Sequence, residues 1–157
     1  MTYPVLSCTA LDARDCRGLA EFYRELLGLH YRAGDEPPAD GSGADGSVAD
    51  GSVADGAPFD GATPDESDWL VLLDDQDRRV LAVQEKTDLR SSTWPSEEVP
   101  MQLHMDFRVR DAEELARHRR RAEALGARLL MDRSADPDEP LFVMGDPEGH
   151  PFCLLVG

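Results

Sequence analysis

Apolar residues along this chain switch between strand-like and helix-like spacing, and the switches divide it into two passages of one plan. Val5 to Leu11 is a short apolar run; Leu19, Phe22, Tyr23, Leu26 and Leu27 then recur at i, i+3, i+4, i+7 and i+8, the spacing of one buried helix face. Asp15 stands where a helix N-cap belongs and Gly28 where a left-handed C-cap does. Leu29 to Arg32 begins a second strand, and Trp69 to Leu73 with Val80 to Gln84 form a hairpin about the polar turn Asp74-Asp75-Gln76-Asp77. The predicted order is βαβββ.

After a Pro-containing linker, residues 86–100, the order returns. Strand Leu103 to Val109 precedes helix Ala112 to Leu125, and strands Arg128 to Met131, Leu141 to Met144 and Phe152 to Val156 follow. Asp111 with Glu114 makes a capping-box-like helix start, and Asp146-Pro147-Glu148-Gly149 suits a type I turn. Cys8 lies seven residues before Asp15 and His104 seven before Asp111, so the two hold equivalent places on equivalent strands. The expected fold class is α+β, with two tandem βαβββ modules over 1–85 and 101–157.

The interruption in the first module has its own composition. Residues 39–57 are tandem pentapeptides built on Ala-Asp-Gly, and Asp35 to Asp68 carries ten acids while no Lys or Arg occurs from 33 to 77. Small polar residues bury too little apolar surface to offset roughly 1–2 kcal/mol of backbone entropy per ordered residue. Residues 34–67 are therefore expected to form a disordered acidic insertion. A pentapeptide solenoid would need Leu or Phe where Gly41, Gly46 and Gly51 stand, and a calcium-binding β-roll would repeat every nine residues.

A net charge of −16 over 157 residues argues against nucleic acid as a partner. The one basic run, Arg119-Arg120-Arg121, shares its helix with Glu113, Glu114 and Glu123 and reads as a solvated face. No apolar run approaches the roughly 18 residues of a spanning helix, so no membrane partner is expected. The N-terminus lacks a basic segment leading into a hydrophobic one. Three cysteines, at 8, 16 and 153, make neither a CxxC pair nor an even disulfide framework. Reduced thiols and a cytoplasmic location are the expectation.

Three stretches resemble one known family: Ala20-Glu21-Phe22-Tyr23-Arg24-Glu25-Leu26-Leu27-Gly28, His104 through Asp111, and Gly145-Asp146-Pro147-Glu148-Gly149-His150-Pro151-Phe152-Cys153-Leu154. Their order, with the duplication, is similar to the vicinal oxygen chelate superfamily, which includes glyoxalase I, extradiol dioxygenases and bleomycin-resistance proteins. The final stretch, with Thr93-Trp94-Pro95, looks most like its glyoxalase-like subgroup of small bacterial proteins. The resemblance implies two βαβββ modules whose sheets curl around a cleft, a small-molecule ligand and a homodimer.

In metal-dependent members the ligands come from the first and fourth strands of each module, which by position implies Cys8, Gln84, His104 and Cys153 here. His104 fits and Gln84 is acceptable, whereas Cys8 and Cys153 depart from the pattern and Cys153 replaces a typical glutamate. Thiolates would favour Zn or Fe over harder cations, yet a free cysteine commonly packs as a small hydrophobe. A divalent metal is thus one expectation and a metal-free cleft the preferred one. Asp106, two residues beyond His104 on the same strand face, would orient the imidazole, act as a base, or pair with an arginine. Trp69, Trp94, Gln84 and Cys153 are candidate ligand contacts, Phe107 is expected in the core, and His150 reads first as a turn residue.

Three functions stay open on these residues. One is a lyase or isomerase acting through His104, with Asp106 or a metal. Another is a sequestering protein of the bleomycin-resistance type, which needs no metal. The third is a protein whose acidic loop recruits a partner.

Overall fold

A computed structural model describes residues 3–37 and 68–157. The chain runs β1 (Thr9–Ala13), α1 (Cys16–Leu27), β2 (His30–Tyr31), β3 (Trp69–Leu73), β4 (Arg79–Glu85), β5 (Met105–Val109), α2 (Ala112–Ala124), β6 (Arg128–Arg133), β7 (Leu141–Gly145) and β8 (Pro151–Val156). Two mixed four-stranded sheets result, ordered β1-β4-β3-β2 and β5-β8-β7-β6. In each, the first strand of the module runs parallel to the last and the others pair antiparallel. This is the expected tandem βαβββ arrangement, and neither sheet closes into a barrel.

The caps fall where the sequence places them. The Asp15 side chain accepts from the Gly18 amide and the Asp111 side chain from the Glu114 amide, each satisfying an orphan N–H of a first turn. Gly28 closes α1 at φ 69°, a left-handed conformation that costs glycine nothing. Leu19, Phe22, Tyr23 and Leu26 are buried. Their core continues through Leu11, Leu70, Leu72, Leu81 and Val83 of the first sheet and Phe142, Met144, Phe152 and Leu154 of the second. Phe22 and Tyr23 of α1 lie against Phe152, and Tyr23 also against Phe107, so one core unites both modules and Phe107 joins it as expected.

Several boundaries differ from the sequence reading. The first strand is Thr9–Ala13 rather than Val5 to Leu11, because β4 offers backbone partners only over that stretch; Tyr3, Val5 and Leu6 are 80–90% exposed. Cys8 and His104 do occupy equivalent places, but each stands one residue ahead of its strand. The insertion assigned to 34–67 begins too early. Asp35 is buried, its side chain accepting from the Val71 amide at 2.8 Å and from Arg32 Nη2 at 2.9 Å. The rest of that insertion, 38–67, lies outside the described residues.

Strand register corrects one further expectation. Ala82 lies beside Ala10 as Cys153 lies beside Asp106, while Gln84 lies beside Asp12 as Leu155 lies beside Arg108. Gln84 and Cys153 are therefore not equivalent, and positions 8, 84, 104 and 153 form no symmetric set. Alternation in sequence fixes which face a strand residue takes, whereas register depends on which backbone groups pair.

Candidate functional site

The turn between β7 and β8 holds the two modules together. Asp146, 1% exposed, has its Oδ1 accept from the amides of Glu148, Gly149 and His150, and its Oδ2 from the Tyr23 hydroxyl at 2.9 Å and His150 Nδ1 at 2.9 Å. Burial and the Asp146 charge push the Tyr23 phenol well above its ordinary range, so it remains the donor. Glu148, also buried, accepts from Arg14 Nε at 2.8 Å and from the Asp15 amide at 3.0 Å. Burial works to raise its pKa, but the Arg14 bond and the backbone donors outweigh it and hold the carboxyl below its usual range. Ser91 of the linker donates to the Glu148 carbonyl at 2.6 Å. Two of the three stretches that carry the family resemblance thus touch through Tyr23 and Asp146.

Beside this clasp lies a cavity of about 290 Å³. The first module contributes Ala10 and Asp12 of β1, the second His150 and Pro151, and the linker and its exit Arg90, Met101 and Leu103. Ala10, Asp12 and Gln84 share the sheet face opposite α1, and the Gln84 amide donates to Asp12 Oδ1 at 2.9 Å. His150 is anchored through Nδ1, which leaves Nε2 as its free nitrogen. Burial works to lower its pKa; the Asp146 hydrogen bond and the charges of Asp146, Glu148 and Asp12 prevail and raise it above the ordinary 6.5. Neither Asp12 nor His150 was a sequence candidate. The spacing Asp146-x-x-x-His150 was the available signal, since it returns a side chain to a turn aspartate.

A second group gathers where β5 begins. His104 Nε2 lies 3.4 Å from Asp106 Oδ1, and His104, Asp106 and Cys153 offer N, O and S atoms within 4.8 Å of one another. His104 and Asp106 are exposed and Cys153 partly buried. Burial first, then the hydrogen bond and charge of Asp106, pushes the Cys153 thiol up to about 11, so at neutral pH it is protonated. The structure therefore groups His104 with Asp106 and Cys153, while Gln84 bonds Asp12 on the other sheet. Cys8 is partly buried just ahead of β1. Trp69 is 38% exposed on β3 and Trp94 half-buried in the linker after Ser92, whose hydroxyl accepts from its amide. Neither tryptophan lines the cavity.

Among the described residues no helix is long and apolar enough to cross a membrane. None of the curated proteins matches the chain. Among solved structures it is similar to a glyoxalase/bleomycin resistance protein/dioxygenase family enzyme from Burkholderia phytofirmans PsJN, at 15% identity and a TM-score of 0.59, over 96% of each chain. It is also similar to the genomically encoded fosfomycin resistance protein of Listeria monocytogenes, at 15% identity and TM-score 0.60, covering 99% of this chain and 95% of that one. The fosfomycin resistance protein of Mesorhizobium loti aligns at 16% identity and TM-score 0.57, over 100% and 94%. At such identities the likeness is one of fold. The family model described as "Glyoxalase-like domain" matches residues 8–155, the span that holds both modules and the clasp between them, and the chain belongs to that family within the vicinal oxygen chelate fold.

Proposed function

We propose that this protein binds a small molecule in the cavity between its two modules. One observation carries the reading: both modules and the linker line a single concavity whose walls are mainly apolar and whose polar side chains, Asp12, Arg90, Ser92, Gln102 and His150, are the minority. Ligand sites commonly combine apolar walls with a few placed polar groups. Two of the similar structures are named for fosfomycin resistance, so small antibiotics belong in a ligand screen. Sequestration needs nothing beyond the cavity. A homodimer, which rests on the family resemblance, and a cytoplasmic location, which rests on three cysteines without a disulfide framework, complete the reading.

The first test uses p-cresol, a neutral probe small enough for the cavity, in an NMR titration. Shifts confined to amides near Ala10, Asp12, Leu103 and His150 are the expected result; saturable shifts only elsewhere would refute the assignment.

The cluster at His104 favours a second reading, a lyase or isomerase. As a metal site it fits in part. An imidazole nitrogen, a carboxylate oxygen and a thiol sulfur within 4.8 Å form a donor set suited to Zn or Fe, although the Cys153 proton would have to leave. Such a metal, held by His104, Asp106 and Cys153, would polarise a substrate oxygen. Without it, His104 beside Asp106 remains a proton-transfer pair. Elemental mass spectrometry of protein purified without chelator decides between these: this reading requires near-stoichiometric metal that disappears in His104→Ala, and no uptake after adding Zn or Fe removes the metal version.

A further inference from the structure

We infer that the ligand of the inter-module cavity carries an anionic oxygen, received by His150 and Arg90, and belongs to the class of small apolar carboxylates and comparable oxyanions. The inference rests on the proposal that this cavity binds a small molecule.

The polar groups that face or surround the cavity can be accounted for one by one. Asp146 is committed to Tyr23, three backbone amides and His150 Nδ1. Glu148 is committed to Arg14 and the Asp15 amide. The Ser92 hydroxyl is turned to the Val99 carbonyl at 3.3 Å. Asp12 has one oxygen on the Gln84 amide and one left over.

Gln102 also lines the cavity, and its amide, able both to donate and to accept, favours neither sign. Among the ionisable groups, one spare carboxylate oxygen stands against two unengaged donors. Arg90 lines the cavity and makes no ion pair or side-chain hydrogen bond among the described residues. Its guanidinium is permanently charged and shaped to grip a carboxylate through two N–H groups. His150 presents the Nε2 that its bond to Asp146 leaves free, and a buried carboxylate behind an imidazole fixes the ring and favours its charged form. Met101, Leu103 and Pro151 supply the apolar wall for the body of the ligand. A cationic ligand would share the cavity with the permanent charge of Arg90 and an imidazole held toward its charged form, with only the spare oxygen of Asp12 to set against them, so the donors decide the sign. The spare oxygen of Asp12 then suits a hydroxyl on the ligand.

The acids that surround His150 from β1 and from its own turn, Asp12, Asp146 and Glu148, together keep its pKa above 6.5 after burial has worked to lower it. Carboxylate affinity should consequently fall as pH rises through the His150 pKa, above 6.5, while the affinity of a neutral probe stays level.

Isothermal titration with 4-methylbenzoate, p-cresol and 4-methylbenzylamine tests the assignment on the full chain. The carboxylate should bind about tenfold or more tighter than the amine, and lose about tenfold in His150→Gln and in Arg90→Gln, as for one charge-assisted hydrogen bond each. Arg90 is exposed and without partners among the described residues, so its variant keeps the fold even if His150→Gln loosens the turn. Amine binding as tight as the carboxylate, or no effect of Arg90→Gln, would overturn the assignment. If p-cresol binds and the carboxylate does not, the cavity stands and the anion assignment alone falls. If none of the three binds, the cavity reading itself fails and takes the assignment with it.

Discussion

Asp146→Ala is expected to destabilise the protein by about 4 kcal/mol, a large share of the 5–15 kcal/mol typical of a domain. The carboxylate is buried and receives five hydrogen bonds, three from backbone amides of its own turn and one each from Tyr23 and His150. Removing it strands several buried donors at once, each costing roughly 1–3 kcal/mol if water cannot reach it, with partial relief at the turn surface. The Tyr23 hydroxyl sits on α1 of the other module and would lose its one partner beneath the core. Urea unfolding of the variant should show the loss as a lower midpoint at unchanged slope. A loss under about 1 kcal/mol would mean that the carboxylate does not hold the modules together.

Gly149→Ala is the second large effect, about 3 kcal/mol, and it arises from geometry rather than charge. Gly149 has φ +95°, and a Cβ there would lie 2.6 Å from Ser91 Cβ and 3.0 Å from Ser91 Oγ. A left-handed residue with a side chain costs about 1–2 kcal/mol, and overpacking commonly adds about 1–3 kcal/mol. Ser91 has little freedom to retreat, because its hydroxyl donates to the Glu148 carbonyl and accepts from Arg14 Nη2 at 3.3 Å. Displacing it would loosen the linker that lines the cavity. Thermal melting tests this, and Ser91→Gly in the same chain should restore part of the loss. A variant as stable as the parent would show that the linker approaches the turn less closely.

Both residues belong to the Asp-Pro-Glu-Gly-His stretch, which was legible in the sequence as a turn and as a mark of resemblance. What it touches was not. Tyr23 read as one position of an amphipathic helix, and nothing in its spacing announces a hydroxyl bonded to a residue 123 positions away. Elements came through well where period and caps agree, as with Asp15, Gly28 and Asp111. They drifted where apolar content lacked a partner, as at Val5 and Leu6. The pairing of Asp106 with His104 was readable because residues two apart on a strand share a face. The pairing of Asp12 with Gln84, and the move of His150 from turn residue to cavity wall, required the register and the tertiary path that bring β1 and β8 to one concavity.

The measurement that bears most directly on the cavity as the ligand site is the affinity of p-cresol for Ala10→Trp set beside that for the parent. Ala10 is exposed on β1, faces away from the helix and lines the cavity, so an indole there fills the space without entering the core, on a strand that tolerates aromatics. Binding reduced at least about tenfold, as expected for loss of roughly 1.4 kcal/mol or more, in a variant that melts within a few degrees of the parent is the predicted result. Unchanged affinity in that folded variant would contradict it and place the ligand elsewhere on the molecule.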